Sequence, residues 1–362
     1  MPRFTEVRNA VILAHGSGII DDEEFLVLYE YYWTSNLEFP YWNYEKFDLT
    51  NVTDDECWSE FRFRKHDIPR LRRALRIPES ISTYNRLRVD GNEALCIFLK
   101  RYSYPNRYSD MIPRFARPIA ELSIISYYVL DHIYDNFATL LKDFNPNTNP
   151  SLQPDKLEIY CQVISDSGSP LKNCFGFLDG TVRKISRPGK NQRQVYNGHK
   201  RVHALKYQSL ILPNGLIANL YGPIEGRRHD CAMLTMSNLL PSLQAYGKDT
   251  NGSDLCIYSD LGYPIRPQLQ TGFKNLGNLT PDQVEYNKIM SALRITVEWL
   301  FGDIATFYAF LDFKKKHKLY QGPIGKMYIC CALLANAKTC LYGNQTSQYF
   351  GLDPPVLEEY FV

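Results

Sequence analysis

Four apolar segments between residues 174 and 260 constrain the fold of this chain more than any other feature. CFGFLDGTVRKI predicts a first strand, and HKRVHALKYQSLIL and GLIANLYG predict two more, joined by the turn sequence Pro213-Asn214-Gly215. A helix is expected over residues 231–246 with Asp230 as its N-cap. DLCIYSD then predicts a short fourth strand that ends in Asp260. Three strands, a helix and another strand in this order predict an α/β domain built on a sheet.

A long helix is predicted to begin at residue 281. Thr280 provides an N-cap, Pro281 is favoured in the first turn, and Gln283 completes a capping box. Apolar residues recur at helical spacing and form one stripe: Ile289, Leu293, Val297, Leu300, Phe301 and Ile304. Glu298 lies at the border of this stripe, one turn after Arg294, and is therefore expected at the edge of the buried helix face.

Three acids occupy special positions in this pattern. Asp179 lies on the first strand, Asp260 ends the fourth, and Glu298 projects from the long helix. This order resembles the ribonuclease-H-like arrangement, a mixed sheet flanked by helices in which distant carboxylates meet at one sheet edge. Such carboxylates can hold two Mg²⁺ ions about 3.5–4 Å apart for in-line displacement at phosphorus. Magnesium prefers oxygen ligands, so no His or Cys ligand is needed.

Each acid also has an ordinary structural interpretation. Asp179 and Asp260 are residue types typical of turns, and Asp230 is most simply a helix cap. Glu298 can pair with Arg294 on the helix surface, which is worth roughly 0.2–0.5 kcal/mol. Clustered carboxylates repel one another, so a site made of these acids is expected to have raised pKa values when no cation is bound.

Composition limits the class of protein. The chain has 362 residues, of which 44% are hydrophobic, and its net charge is only +2, so nucleic-acid binding must be argued from local charge. Nine cysteines without a CxxC pair favour reduced thiols in the nucleus or cytosol. The N-terminal apolar run is too short for a signal peptide, and the longest uncharged stretch, residues 207–224, contains turn residues, so no membrane span is expected.

The N-terminal half predicts helices. Residues 62–76, with seven Lys or Arg and one Asp, predict a short amphipathic helix that is a candidate element of a helix-turn-helix DNA-binding domain. Residues 145–154 are rich in Pro, Asn and Ser and are interpreted as a linker. The predicted organisation is an N-terminal extension over 1–60, a helical domain over 61–150, an α/β domain over 170–342 and a C-terminal tail over 343–362.

Five short motifs follow one another in the second half of the chain: Asp179–Thr181, Asn197–Lys200, Gly226–Asp230, Asp260–Pro264 and Arg294–Glu298. In this order they resemble the PIF/Harbinger transposases and their domesticated, Harbinger-derived nuclease-like relatives, a group of DDE superfamily endonucleases. The likeness runs from about residue 174 to residue 342 and does not include the first 60 residues.

This resemblance implies a DDE endonuclease and transposase catalytic domain over residues 170–342. The catalytic triad would be Asp179, Asp260 and Glu298, with Asp230 as a fourth acid counted among the metal ligands. Whether Asp230 or Asp260 is the second triad member stays open. The implied cofactor is a divalent metal cation, Mg²⁺ or Mn²⁺. The implied activity is cleavage of DNA phosphodiester bonds at element ends and joining of the freed 3′-hydroxyls to target DNA.

The alternative is a domesticated relative, a nuclear nuclease or DNA-binding protein that no longer moves DNA. The resemblance further implies DNA and a Myb-like protein as partners, a homo-oligomer, and a location in the nucleus, with the cytoplasm as a second location. A haloacid-dehalogenase-type phosphatase is a third class, whose signature is Asp-x-Asp-Gly-Thr after a strand. Phe177 replaces its nucleophilic aspartate, which excludes that chemistry.

A basic segment without any Asp or Glu extends from residue 180 to residue 224. It holds eight cations: Arg183, Lys184, Arg187, Lys190, Arg193, Lys200, Arg201 and Lys206. Beside a carboxylate cluster, these residues are predicted to contact DNA phosphates. His199 and His203 are predicted in a turn and a strand and not on one helix face, so a zinc site is not expected. The lysine cluster at 314–318 is interpreted as ordinary surface.

Overall fold

The structure, a computed structural model, describes residues 4–31, 40–83, 86–275 and 277–362. Contacts divide the chain into two units, residues 1–43 and 44–362. The first unit contains helices α1 (Phe4–Gly16) and α2 (Asp22–Tyr31). The predicted extension over residues 1–60 includes residues 1–3 and 32–39, which lie outside the described residues. The predicted domain boundaries stay predictions.

The second unit begins with a helical region. Its helices are α3 (Asp54–Phe61), α4 (Asp67–Ala74), α5 (Gly91–Ser103), α6 (Ile112–Phe115), α7 (Ile119–Phe137), α8 (Thr139–Lys142) and α9 (Pro154–Asp166). A two-stranded antiparallel ribbon, β1 (Ser80–Ser82) and β2 (Arg88–Asp90), lies between α4 and α5. α5 packs on α3, α4 and α7, and α7 packs on a helix near the C-terminus, so this region shares its core with the rest of the unit.

The amphipathic helix predicted over residues 62–76 is shorter in the structure. Arg62 has a φ of +67°, a left-handed conformation that ends α3, and α4 begins only at Asp67. The predicted apolar face is buried, since Ile68, Leu71 and Leu75 have no exposed surface. Together, α3 and α4 form a helix–loop–helix. The DNA-binding role predicted for this region stays a prediction.

A mixed sheet of six strands forms the centre of the second half. Its strands are β3 (Cys174–Lys184), β4 (Tyr196–Asn197), β5 (Val202–Ile211), β6 (Ile217–Glu225), β7 (Cys256–Ser259) and β8 (Leu269–Thr271). β5 pairs antiparallel with β3 on one side and with β6 and β4 on the other. β7 pairs parallel with β3, and β8 parallel with β7. The main order is therefore β6-β5-β3-β7-β8, with β3 in the middle.

Helices cover both faces of this sheet. The remaining helices are α10 (Gln192–Val195), α11 (Asp230–Met236), α12 (Leu239–Tyr246), α13 (Pro281–Phe307), α14 (Ile324–Tyr342), α15 (Gln345–Phe350) and α16 (Leu357–Tyr360). On one face, Leu178 of β3 belongs to a buried cluster with side chains of α9, α11 and α12. On the other face, Phe177 stacks on Phe350 of α15, and Tyr207 stacks on Tyr328 of α14.

The predicted architecture is confirmed: a mixed α/β, ribonuclease-H-like fold of sheet and flanking helices, preceded by a helical region. The capping box at Thr280 and Gln283 is present and starts α13. The turn between β5 and β6 has Gly215 at a φ of +82°, where glycine is favoured. All nine cysteines are free thiols. Within the described ranges no helix combines the length and apolar character that crossing a membrane requires.

Candidate active site

Asp179 lies on β3 and faces α13. Because strand side chains alternate, Asp179 shares the face of Phe177 and not that of Leu178. Arg294 of α13 places Nη1 3.0 Å from Asp179 Oδ2, and the backbone N–H of Gly180 donates to Asp179 Oδ1 at 2.8 Å. Only 17% of the Asp179 side chain is exposed. The carboxylate is therefore held inside the protein by one cation and one amide.

Glu298 follows Arg294 by one turn of α13. Nη2 of Arg294 lies 3.5 Å from Glu298 Oε1, so the guanidinium joins Asp179 and Glu298. The Glu298 side chain is 59% exposed, which leaves its carboxylate free to turn. The ordinary interpretation of Glu298, an ion pair with Arg294, thus holds, and the same Arg294 also ties this acid to the strand that carries Asp179.

Asp260 comes directly after β7. Since β7 runs parallel to β3 with Ser259 opposite Leu178, Asp260 lies beside Asp179, which is in the middle of β3. The Asp260 carboxylate accepts a bond of 3.1 Å from the N–H of Gly262. Parallel pairing therefore supplies the predicted convergence of two acids that are 81 positions apart in sequence.

Asp230 does not have the predicted role of helix cap. The N-cap of α11 is His229, which makes no side-chain capping bond, and Asp230 is the first helical residue. Its carboxylate instead accepts a short hydrogen bond from Nζ of Lys206 on β5. A buried ammonium needs an acceptor more than a helix end needs a cap, so the long-range pair prevails over the local one.

Two glycines leave the space that the carboxylates fill. A Cβ on Gly180 would lie 3.1 Å from Asp230 Oδ1, and a Cβ on Gly262 would lie 3.1 Å from Asp260 Oδ1 and 3.3 Å from Asp230 Oδ2. The Asp230 carboxylate therefore lies between these two backbones, on the same side of Gly262 as the Asp260 carboxylate. Asp260 lies beside Asp179 through the pairing of β7 with β3 and shares the space at Gly262 with Asp230, so it lies between the other two acids.

Two acids of this cluster, Asp179 and Asp260, are harder to ionise than free carboxylic acids. Burial raises the pKa of Asp179 to about 6, and Asp260 and Glu298 add to the increase, while Arg294 and the Gly180 N–H oppose it. Burial and the neighbouring Asp230 raise the pKa of Asp260. For these two acids the first cause of the raised pKa is loss of water contact and not the repulsion between carboxylates.

Tyr263 lies beneath the acids. Its side chain is 3% exposed, and its hydroxyl has no hydrogen-bond partner among the described residues. The hydroxyl lies 3.5 Å from the position a Cβ on Gly180 would take, the point that Asp230 Oδ1 also approaches. Burial raises the pKa of Tyr263 well above its usual value, and Asp230, Asp179 and Asp260 contribute in that order. The hydroxyl thus stays protonated and is an unused donor inside the cluster.

The donor set fits a divalent cation in its chemistry. All four acids offer carboxylate oxygens, the glycine gaps give them room, and Tyr263 provides an orphaned polar atom beside them. In the part of the chain that the structure describes, no three His, Cys, Asp or Glu side chains are gathered as ligands. Arg294 and Lys206 occupy two of the acids instead, so a cation would have to draw the carboxylates away from these partners.

The eight predicted DNA-contacting cations differ in their environment. Six are exposed in the loops and strand ends around the site: Lys184, Arg187, Lys190, Arg193, Lys200 and Arg201. Arg183 is half-buried, donates to the Phe301 carbonyl at 3.1 Å and lies over the Tyr328 ring. Lys206 is buried on Asp230 and the Arg228 carbonyl. The six exposed cations can approach a phosphate directly, whereas Arg183 and Lys206 are held by the protein.

A basic cavity of about 660 Å³ opens beside Asp230. Lys200, Arg227, Arg228, His199 and His229 contribute to its lining, together with the Gly180 end of the acid cluster. His199 lies in a turn and His203 in β5, as the sequence predicts. The cavity places cationic side chains and carboxylates next to each other, which suits an anionic chain whose phosphate must reach the acids.

Sequence reasoning missed three residues of this site. From the sequence, Arg294 was expected to pair with Glu298 alone, Lys206 was expected to contact a phosphate, and no role was predicted for Tyr263. A cation in a strand that is otherwise apolar, as in HALKYQSLIL, signals a buried partner, and this could have identified Lys206. No local pattern points to the Arg294–Asp179 pair, whose members are 115 positions apart.

Comparison with known families concerns the segment that carries these acids. Residues 178–336 match the family model described as DDE superfamily endonuclease. The chain carries a DDE superfamily endonuclease domain. The match begins in β3, one residue before Asp179, and ends within α14, so it contains all four acids. Searches among curated proteins and among solved structures gave no match. Endonucleases of this superfamily generally use divalent metals.

Proposed function

We propose that this domain cleaves DNA phosphodiester bonds with Asp179, Asp260 and Glu298 as its catalytic acids. The observation that carries the proposal is that Asp260, directly after β7, lies beside Asp179 on the neighbouring strand β3, with Arg294 tying Asp179 to the helix turn that bears Glu298. The endonuclease family match over residues 178–336 supports the reaction class.

Mg²⁺ or Mn²⁺ is the proposed cofactor, with Asp179, Asp230, Asp260 and Glu298 as oxygen ligands. When bound, such a cation lowers the pKa of an attacking water or 3′-hydroxyl and stabilises the leaving oxygen. The protein's own residues prepare the site. Arg294 pairs with Asp179 and Lys206 pairs with Asp230, and Gly180 and Gly262 keep the space between the acids open.

DNA is the proposed substrate, bound through its phosphates. The exposed cations between Lys184 and Arg201 lie within the segment that follows Asp179, and the basic cavity adjoins Asp230. These side chains would fix the DNA backbone over the acids without reading its sequence. The sequence preference would then come from another region, for which the helical region at α3 and α4 is our candidate.

The five ordered motifs favour a PIF/Harbinger transposase that cuts at element ends and joins 3′-hydroxyls to target DNA. The alternative is a domesticated nuclear nuclease or DNA-binding protein without transposition. With either, we propose action in the nucleus, with the cytoplasm as a second location, as a homo-oligomer and beside a Myb-like partner protein. The presence of all four acids favours retained cleavage in both cases.

Cleavage of end-sequence DNA by the full chain tests the proposal. Wild type is compared with Asp179→Asn and with Asp303→Asn, which changes a half-buried acid of α13 whose pKa is also raised by burial. We expect Mg²⁺-dependent cuts from wild type and Asp303→Asn and none from Asp179→Asn. Equal cutting by Asp179→Asn would refute the assignment. Joining of the cut ends to a second plasmid would separate a transposase from a domesticated nuclease.

A further inference from the structure

Tyr263 is fixed in place by the loop that follows β7. Its backbone N–H donates to the Asp260 carbonyl at 3.3 Å, and its ring is part of the buried cluster shared with α9 and α11. The ring alone would account for its burial, and a phenylalanine would fill the same volume. The hydroxyl is therefore the feature that packing does not explain.

The hydroxyl is placed where a donor to the acids would be. It lies within 3.5 Å of the point above Gly180 that Asp230 Oδ1 approaches to 3.1 Å. Asp179 precedes Gly180 in the chain, and Asp260 precedes Tyr263 by three residues. A buried hydroxyl without a hydrogen-bond partner lowers the free energy of unfolding. That loss is recovered if the hydroxyl finds a partner in another state of the site.

The acids are satisfied by other donors when no cation is bound. Arg294 and the Gly180 N–H take both oxygens of Asp179, and Lys206 takes Oδ1 of Asp230. A divalent cation would turn one oxygen of each carboxylate towards itself. The opposite oxygen then needs a donor, since groups that ligate metals are usually held by hydrogen bonds from behind.

We propose that Tyr263 is a positioning residue of the acid cluster, whose hydroxyl donates a hydrogen bond to a carboxylate of the cluster when the acids hold a divalent cation. This inference rests on the proposed cation-dependent function. It assigns Tyr263 no contact with DNA, because the side chain is buried beneath the acids. The hydroxyl stabilises the cation-bound arrangement, whereas in the cation-free one no described residue is its hydrogen-bond partner.

The test compares Tyr263→Phe with Tyr308→Phe. Both substitutions remove one oxygen atom from a buried tyrosine whose hydroxyl has no hydrogen-bond partner among the described residues, but Tyr308 caps the end of α13 near Cys331 and Tyr342, away from the acids. Binding of Mn²⁺ to the full chain without DNA is measured by calorimetry. We expect about 10-fold weaker binding for Tyr263→Phe and unchanged binding for Tyr308→Phe.

A spectroscopic measurement covers the case in which Tyr263→Phe folds poorly. 3-Fluorotyrosine is introduced at position 263 or 308 and followed by fluorine NMR during a Mg²⁺ titration. We expect the signal from position 263 to move and that from position 308 to stay. A wild-type protein that binds no divalent cation would overturn this inference together with the proposed function. Wild-type binding with equal affinity in Tyr263→Phe, or a 263 signal unchanged at saturation, would overturn this inference alone.

Discussion

Replacing Asp179 by asparagine is predicted to stabilise the protein in the absence of a cation. The pKa of Asp179 is about 6 in the folded protein against an ordinary 3.8. Each pKa unit corresponds to about 1.4 kcal/mol, so ionised Asp179 costs the folded state about 3 kcal/mol relative to the neutral form. Asparagine has nearly the same shape and carries no charge, and it therefore avoids this cost.

The sign of the pH dependence follows from proton binding. Between pH 3.8 and about 6 the folded protein holds the Asp179 proton more tightly than the unfolded chain does. The contribution of Asp179 to the free energy of unfolding therefore falls as pH rises through this window. The groups that face the carboxyl are Arg294, the Gly180 N–H, Asp260 and Glu298. The advantage of Asp179→Asn should be full near pH 7.5 and disappear near pH 4.

Thermal unfolding in EDTA at pH 4, 6 and 7.5 measures the effect. For a unit of this size, about 3 kcal/mol raises Tm by roughly 4 °C. Added Mg²⁺ should raise Tm of wild type by mass action and leave Asp179→Asn nearly unchanged. Asp303→Asn serves as control, since it should gain stability and keep the Mg²⁺ response. An Asp179→Asn protein less stable than wild type at pH 7.5, or an advantage that persists at pH 4, would refute the reasoning.

Three further predictions concern the acids, the basic segment and the metal. Asp260→Asn should end cleavage and most of the Mg²⁺-induced rise in Tm, whereas Asp230→Asn should reduce both less. Asp230→Asn should also lower the cation-free stability by about 2 kcal/mol, because it weakens a hydrogen bond from the buried ammonium of Lys206. An inactive Asp230→Asn beside an active Asp260→Asn would move the second triad position to Asp230. Replacing Arg187 and Lys190 by alanine should weaken binding to all DNA sequences alike, and the slope of log K against log salt concentration should become shallower by about 0.9 for each lost phosphate contact. The same change at Lys314 and Lys315 is the control. A loss of affinity confined to one base position would contradict a phosphate role. Cleavage should need Mg²⁺ or Mn²⁺ and survive a zinc-specific chelator, since the ligands are oxygens; activity restored by zinc alone would count against the carboxylate site.

Local sequence patterns were sufficient for the strands and the long helix. The turn at Pro213–Gly215 and the capping box at Thr280 act within a few residues, so both could be predicted and both are present. Apolar runs define the strands well, so Asp179 could be placed on the first strand and Asp260 at the end of the fourth. The meeting of these acids at one sheet was expected from the resemblance to the ribonuclease-H-like arrangement, and the parallel pairing of β3 with β7 brings it about.

Long-range contacts decided what the sequence did not predict. Asp230 has the local features of a cap, but Lys206, 24 positions earlier and buried on the adjoining strand, takes its carboxylate. The helix at residues 67–74 is shorter than its pattern because Arg62 adopts a left-handed conformation that ends the preceding helix. The hydroxyl of Tyr263 has meaning only once Gly180 and Asp230 are known to lie beside it.

The most direct test of the central claim is to locate Mn²⁺ in crystals of the wild-type protein by its anomalous scattering. We expect a peak at a ligand distance of about 2 Å from carboxylate oxygens of Asp179 and Asp260, with Arg294 displaced from Asp179. The same experiment on Asp179→Asn should lose the peak. A peak bound elsewhere, for example at His199 and His203, or no peak at the acids in crystals saturated with Mn²⁺, would contradict a cation site at Asp179 and Asp260.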